Sequence, residues 1–161
     1  MIITITGTPG VGKTYLAKKL AKNTGARYFD LNAFIKKNKL YDAYDKKDKT
    51  YDVDVKKLKK SMKEILKKYV EKMTLNAKTM NTLSPFIKKY GNTVLIDSHL
   101  SHYIPSNMCI VVKSDIKNIS QRLKKRKYSK KKIDDNIQSE IFDICLEEAK
   151  GLNDNVIVVN N

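Results

Sequence analysis

Gly7-Thr8-Pro9-Gly10-Val11-Gly12-Lys13-Thr14 obeys the pattern GxxxxGK[ST], and few eight-residue segments constrain a fold as tightly. Its glycines let successive backbone N–H groups turn inward around an anion. Lys13 can reach outer phosphate oxygens, and Thr14 offers a hydroxyl to Mg²⁺. The loop needs a buried strand running into it and a helix leaving it, and both flanks are present. Residues 2–6 stack β-branched side chains as a short buried strand. From Gly12 the chain turns helical, with Leu16, Ala17, Leu20 and Ala21 on one face and Lys18, Lys19 and Lys22 on the other, until Gly25. The expected ligand is ATP or a close relative.

Downstream, strands and helices keep alternating. Residues 27–29 read as a second strand and 31–37 as a short helix. Residues 41–54, dense in Tyr, Asp and Lys and poor in aliphatics, read as a mobile or partly exposed segment. Leu58, Met62, Ile65, Leu66 and Tyr69 give 55–72 helical spacing, and a further helix is expected over 75–90, broken or bent before Pro85 and stopped by Gly91-Asn92. Residues 93–96 form an apolar strand ending in Asp97, Ser98 and His99, and 108–112 form a fourth. Ser114 or Asp115 can cap a helix running through Ile119 and Leu123 toward Arg126. After a basic loop, Ile133, Ile137, Ile141, Ile144 and Cys145 mark one face of a long helix that Gly151 ends, and 156–159 closes the sheet. The alternation over 161 residues predicts one α/β domain with a five-stranded parallel sheet, because parallel neighbours need crossover connections.

No apolar run approaches the roughly 20 residues of a membrane span, and no basic segment precedes the apolar start, so a cytoplasmic protein without a membrane partner is expected. Cys109 and Cys145 lack CxxC spacing and a nearby His, which predicts two buried, reduced thiols and no zinc site. The net charge is +16, an excess that attracts nucleic acid. Yet 30 of the 33 basic residues are Lys, set as pairs along helical surfaces, as a lysine-biased chain also solvates its helices. RNA or ribosome contact and plain solvation both remain open readings.

Asp97, at a strand end beside the phosphate loop, is placed to reach Mg²⁺ through water. A neutral His99 could position water or contact a phosphate, whereas His102 reads as a structural hydrogen-bonding residue. Arg122 and Arg126 share a helix face, and in an arginine-poor chain they stand out as forked binders that lysine cannot replace. Such a pair could close over a transferring phosphoryl group. The alternative is a solvated basic helix end.

These residues, together with Leu40-Tyr41-Asp42-Ala43-Tyr44-Asp45, Asp97-Ser98-His99-Leu100-Ser101-His102-Tyr103, Arg122-Leu123-Lys124-Lys125-Arg126-Lys127-Tyr128 and Asp135-Asn136-Ile137-Gln138-Ser139-Glu140-Ile141, give the chain a nearly end-to-end similarity. It resembles the adenylate kinase isoenzyme 6 family, the archaeal and nuclear adenylate kinase-like ATPases linked to small ribosomal subunit maturation. The resemblance implies a P-loop NTPase sheet in the order 2-3-1-4-5, a monophosphate-binding segment near 30–54, a helical insertion over about 58–92, and a lid near 125–135. It implies reversible transfer between ATP and AMP with Mg²⁺, and a side ATPase activity. ATP contacts carry onto Gly10, Gly12, Lys13, Thr14 and Arg126, and the catalytic Asp-x-His onto Asp97 and His99 beside Lys13 and Arg126. Ribosomal protein uS11 and the pre-30S subunit are the implied partners, and direct RNA contact stays an open reading.

The chain departs from the family pattern at several positions. Tyr15 replaces a second Thr after the loop and adds a ring near the nucleotide. Lys36 stands where an Arg would grip the monophosphate, with Tyr41 beside it in the same segment, and a lysine cannot form the forked pair. Lys127 replaces a lid-turn Gly. A kinase making ADP and an assembly ATPase whose hydrolysis switches a ribosomal partner are both consistent with these residues. A metabolite kinase would need a dedicated acceptor pocket.

Overall fold

The computed structural model describes residues 1–46, 48, 50–79 and 93–161. Strand β1 (Ile2–Thr6) feeds the glycine loop, and helix α1 (Lys13–Thr24) leaves it and ends on Gly25, whose φ of 70° suits a residue without a Cβ. β2 (Arg27–Asp30) and α2 (Leu31–Lys37) follow, with Asp30 capping α2 by accepting from Ala33 N at 2.9 Å. Two short strands, β3 (Ala43–Asp45) and β4 (Thr50–Asp52), precede α3 (Val55–Thr79), which Asp54 caps through Lys56 N and Lys57 N. The remaining elements are β5 (Val94–Asp97), a 3₁₀ turn (Ser101–Tyr103), β6 (Met108–Lys113), α4 (Ile116–Lys125), α5 (Lys130–Ile141), α6 (Ile144–Leu152) and β7 (Val156–Asn160).

The main sheet runs β2-β5-β1-β6-β7, all parallel, which is the expected 2-3-1-4-5 order once the small β3–β4 pair is set aside. Alternate residues of the central strands serve opposite faces. Leu95, Ile110 and Val112 join Ile5, Val11, Ala17, Ile119, Leu123 and Ile133 under α1, α4 and α5, while Val94 and Ile96 join Leu31, Ile35, Leu58, Met62 and Ile104 under α2 and α3. Burial on both faces explains why β5 reads as an unbroken apolar run.

Three expectations from the sequence are corrected. The described residues of 41–54 are exposed or partly so, as expected, yet they contain an antiparallel pair in which Tyr44 lies opposite Tyr51. α3 continues unbroken through Thr79, so no gap separates helices at 72–75; the expected break at Pro85 and stop at Gly91-Asn92 lie outside the described residues. The single long helix after the basic loop is two helices, because Asp143 adopts a left-handed φ of 54° and its carboxylate pairs with Lys113 of β6. Gly151 lies inside the second of them. The end falls at Asn153, whose Nδ2 donates to Ala149 O and His102 O. Asp115 rather than Ser114 occupies the N-cap of α4, without a side-chain cap bond. Among the described residues no helix is long and apolar enough to cross a membrane.

Leu123 is fully buried and lies close against Gly10, so it couples the core to the phosphate loop. Leu123→Ala should lower unfolding stability by about 2–5 kcal/mol, read as a shift in denaturant midpoint at unchanged slope.

Candidate functional site

The loop between β1 and α1 has the backbone an anion needs. Gly7 has a φ of 135°, and a Cβ there would lie 2.3 Å from Val112 O; Gly12 has a φ of 101° and leads directly into α1. No side chain caps α1, and of its first-turn N–H groups Leu16 N donates to Gly12 O while those of Lys13, Thr14 and Tyr15 have no intrahelical acceptor. Lys13 Nζ donates to Thr8 O at 3.0 Å, folded back over its own loop. Protein surrounds this ammonium although part of the side chain opens to the cavity. Burial lowers its pKa from 10.5 to about 8, and nearby Cys145 and Asp97 offset part of that shift.

Asp97 ends β5 directly beside Ile5 of β1 and is 2% exposed. Its Oδ2 accepts from Tyr28 OH at 3.0 Å, and its Oδ1 is buried with no partner. An orphaned carboxylate oxygen in a cavity that Thr14 also lines fits a hydrated Mg²⁺ brought in by nucleotide phosphates, since that ion is held through one or two carboxylates plus substrate oxygens. Among the described residues no group of three or more His, Cys, Asp or Glu could hold a metal unaided. Burial and Asp97 together push the Tyr28 hydroxyl up, which keeps it a donor.

The two histidines sit in different settings. His102 is buried, with Nδ1 2.7 Å from Thr6 Oγ1 and Nε2 3.1 Å from Glu148 Oε2, and it holds the 3₁₀ turn against β1 and α6. His99 opens its ring to the cavity yet is enclosed by protein. Desolvation, then Lys13, lower its pKa to about 4, so it stands there as a neutral imidazole.

The two arginines separate. Arg122 NH1 donates to Gly10 O at 3.0 Å and to Ser114 Oγ at 3.3 Å, clamping the loop backbone. Arg126, at the C-cap of α4, is exposed and lines the cavity. The α4–α5 turn that follows reaches across the cavity mouth. Ser129 Oγ donates to Asp48 Oδ1 at 2.8 Å, and Lys132 Nζ donates to Thr50 Oγ1 at 2.6 Å and to Asp48 O. Lys127 in this turn has a φ of 55°, a left-handed conformation that glycine would adopt without strain.

One cavity of about 1010 Å³ joins these groups, at the upper end of the usual size for a ligand site. Lys13, Thr14, Asp97 and His99 line it, and so do Lys36 and Tyr51. Tyr15 lies at the mouth, 64% exposed. Tyr41 packs edge-on against Tyr51 at 4.6 Å, and it is the Tyr51 ring that lines the cavity. Sequence reasoning missed Tyr28, Tyr51, Cys145, Glu148 and Asn161, which no motif marks. The tyrosines at 44 and 51 were the one available signal, in a segment too polar to read as a hairpin. Cys109 is buried as expected, whereas Cys145 is only partly buried and faces the cavity.

Residues 3–143 match the family model AAA_18, described as an AAA domain. The chain is 38% identical over 151 residues to a protein of Methanocaldococcus jannaschii named "Putative adenylate kinase", covering 94% of this chain and 73% of that one. It is 36% identical over 162 residues to a protein of the same name from Pyrococcus furiosus, covering 99% and 74%. Among solved structures, shikimate kinase from Acinetobacter baumannii in complex with shikimate superposes with a TM-score of 0.52 at 13% identity, over 99% of this chain and 84% of that one; this likeness is one of fold.

Two outcomes follow from the geometry. Phosphate arriving at Lys13 should raise its pKa, so binding of an ATP analogue at pH 8.5 should take up a proton, seen as buffer-dependent enthalpy in calorimetry. In the free protein the unfolded chain binds more protons than the folded one between about pH 8 and 10.5, so this group favours folding increasingly as pH rises through that window. Lys127→Gly, by relieving the left-handed turn, should stabilise the protein by up to about 1 kcal/mol, measured as a raised Tm.

Proposed function

The chain belongs to the AAA_18 family of AAA domains and to the archaeal group just compared, and from that premise we propose that it transfers the γ-phosphoryl group of ATP reversibly to a nucleoside monophosphate, AMP, yielding ADP. The observation that carries this reading is the single cavity joining the glycine loop to Lys36 and Tyr51, with room for a donor and an acceptor. In this reading the chain is one kinase domain over 1–161, with a monophosphate segment at about 30–54, a helical insertion at about 58–92 and a lid at about 125–135.

The unclaimed N–H groups of α1 and the Gly10 and Gly12 backbone hold the triphosphate, and Lys13 leaves Thr8 O to neutralise its outer oxygens. Thr14 and, through water, Asp97 would hold Mg²⁺, which would supply charge neutralisation to the donor phosphates. Arg126 moves with the lid to offset charge that develops on the transferring group. His99, neutral at physiological pH, donates a hydrogen bond to a phosphate or to water without adding a cation. Tyr15 borders the donor, and Lys36, with Tyr41 behind it, receives the acceptor phosphate. No general base is required, because the attacking phosphate is already anionic and transfer depends on positioning and charge.

A side ATPase activity and action in late small-subunit maturation, on uS11 and the pre-30S particle in the cytoplasm, extend this reading by resemblance. The basic surface leaves room for direct RNA contact. Lys36 in place of an expected Arg favours the second reading, an assembly ATPase whose monophosphate kinase activity is incidental. The deciding measurement is ADP and free phosphate from Mg-ATP with and without each monophosphate. Two ADP per ATP with AMP supports the kinase; phosphate release indifferent to AMP supports the ATPase. Lys13→Ala should abolish either activity, and Arg126→Ala should lower kcat about 10²–10³-fold while leaving ATP affinity nearly intact. Equal loss of binding and turnover in Arg126→Ala would remove Arg126 from the transfer step.

A further inference from the structure

Lys36 presents a physical problem for the acceptor end of the cavity. It lies in the last turn of α2, exposed, on a flexible four-carbon stem, and among the described residues no ion pair holds it. A free lysine would sample many rotamers, and a guanidinium's rigid fork is absent. Yet its Nζ stands 5.1 Å from the centre of the Tyr51 ring, and both side chains line the cavity that contains Lys13 and His99.

We propose that Tyr51 is the positioning residue for the acceptor phosphate, its ring face holding the Lys36 ammonium where the monophosphate's phosphate is received. This rests on the reading of the acceptor as a nucleoside monophosphate. The attraction of a ring face restricts the ammonium without neutralising it, so the charge stays available to an anion; a carboxylate in the same place would consume it.

The ring is itself fixed. Tyr41 meets Tyr51 at 4.6 Å with planes 64° apart, and Tyr44, directly across the β3–β4 pair, meets it at 4.6 Å. Tyr41 packs on the cluster of Leu31 and Ile35, which also anchors α2. Platform and lysine therefore share one foundation, and their separation does not depend on the exposed end of the hairpin. Lys57 ties the segment further through Asp42 at 2.7 Å. Lys132, on the lid side of the same cavity, repeats the arrangement over Tyr128 at 4.2 Å.

The test compares wild type with Tyr51→Leu, Tyr51→Phe and Lys36→Ala, using AMP as the probe. Steady-state kinetics, calorimetric binding of AMP and of an ATP analogue, and the proton shifts of the Lys36 ε-methylene are read for each. Tyr51→Leu should raise KM for AMP roughly 3- to 30-fold, change kcat less, leave ATP affinity unchanged, and abolish the ring-current shift on Lys36. Tyr51→Phe, which keeps the ring and loses only the hydroxyl, should keep both AMP affinity and the shift. The proposal is overturned by an unchanged KM for AMP in Tyr51→Leu, by Tyr51→Phe as weak as Tyr51→Leu, or by a parallel loss of ATP affinity. If wild type shows the ring-current shift but binds no AMP, the contact exists while the acceptor reading fails, and the proposal falls with it; if it binds AMP without the shift, only the Tyr51 role falls.

Discussion

β5 inserts between β2 and β1, and the register this imposes places Asp97 opposite Ile5 on one side and Asp30 on the other. The charges of the site are arranged around that pairing. Parallel strands finish at the same sheet edge, so the glycine loop leaving β1 and the carboxylate ending β5 arrive together without any dedicated contact between them. Tyr28, on the same face of the neighbouring strand, then reaches Asp97 and occupies one of its two oxygens, leaving the other buried without a partner. A slip of one residue would send Asp97 to the opposite face, into the apolar cluster of Ile96, Leu58 and Met62. The cost of burying a carboxylate there makes the register as firm as the hydrophobic pattern that specifies it.

The parts legible in the sequence are those governed by local periodicity. The glycine loop, the five core strands and the face of α1 depend on residues within one element, and each was read close to its observed bounds. The kink between α5 and α6 was not, because Ile141 and Ile144 keep helical phase across it, and the break comes from Asp143 pairing with Lys113 some thirty positions earlier. Gly151 was misread for a related reason: Asn153 supplies the stop by bonding carbonyls of Ala149 and His102, so the glycine had no role at the end. The β3–β4 pair was obscured by polarity. Its strands have little apolar side to bury, and the tyrosines that mark it face one another across the pair.

The cavity gathers Lys13, Lys36, Arg126 and Lys132, against few carboxylates. Burial loosens the proton of the most enclosed of them, Lys13; Arg126 adds a little to that, and Cys145 and Asp97 oppose it. His99 avoids adding to the excess by remaining neutral, chiefly because it is desolvated and secondarily because Lys13 lies near it. Phosphate reverses the balance, since each oxygen it brings relieves repulsion as well as forming a bond. Ser129 and Lys132 bond Asp48 and Thr50, so the basic side of the cavity is tied to the β3–β4 hairpin.

Arginine scarcity gives the chain a common constraint on all such contacts. Of its basic residues only Arg27, Arg122 and Arg126 are arginine, and one of these is used to clamp the backbone of the loop. Lysine must therefore do work that usually needs an oriented cation, and an ammonium carries no plane by which to be oriented. Tyrosine supplies the missing plane. Lys18 stands over Tyr28, Lys59 over Tyr103, Lys36 over Tyr51 and Lys132 over Tyr128. In each case a ring already fixed by packing or a hydroxyl bond narrows the directions open to the stem without cancelling the charge, whereas an acidic partner would narrow them and cancel it. A chain with nine tyrosines, no tryptophan and thirty lysines can in this way order an anion site by placing rings, and the sequence signal to look for is the tyrosine rather than the lysine above it.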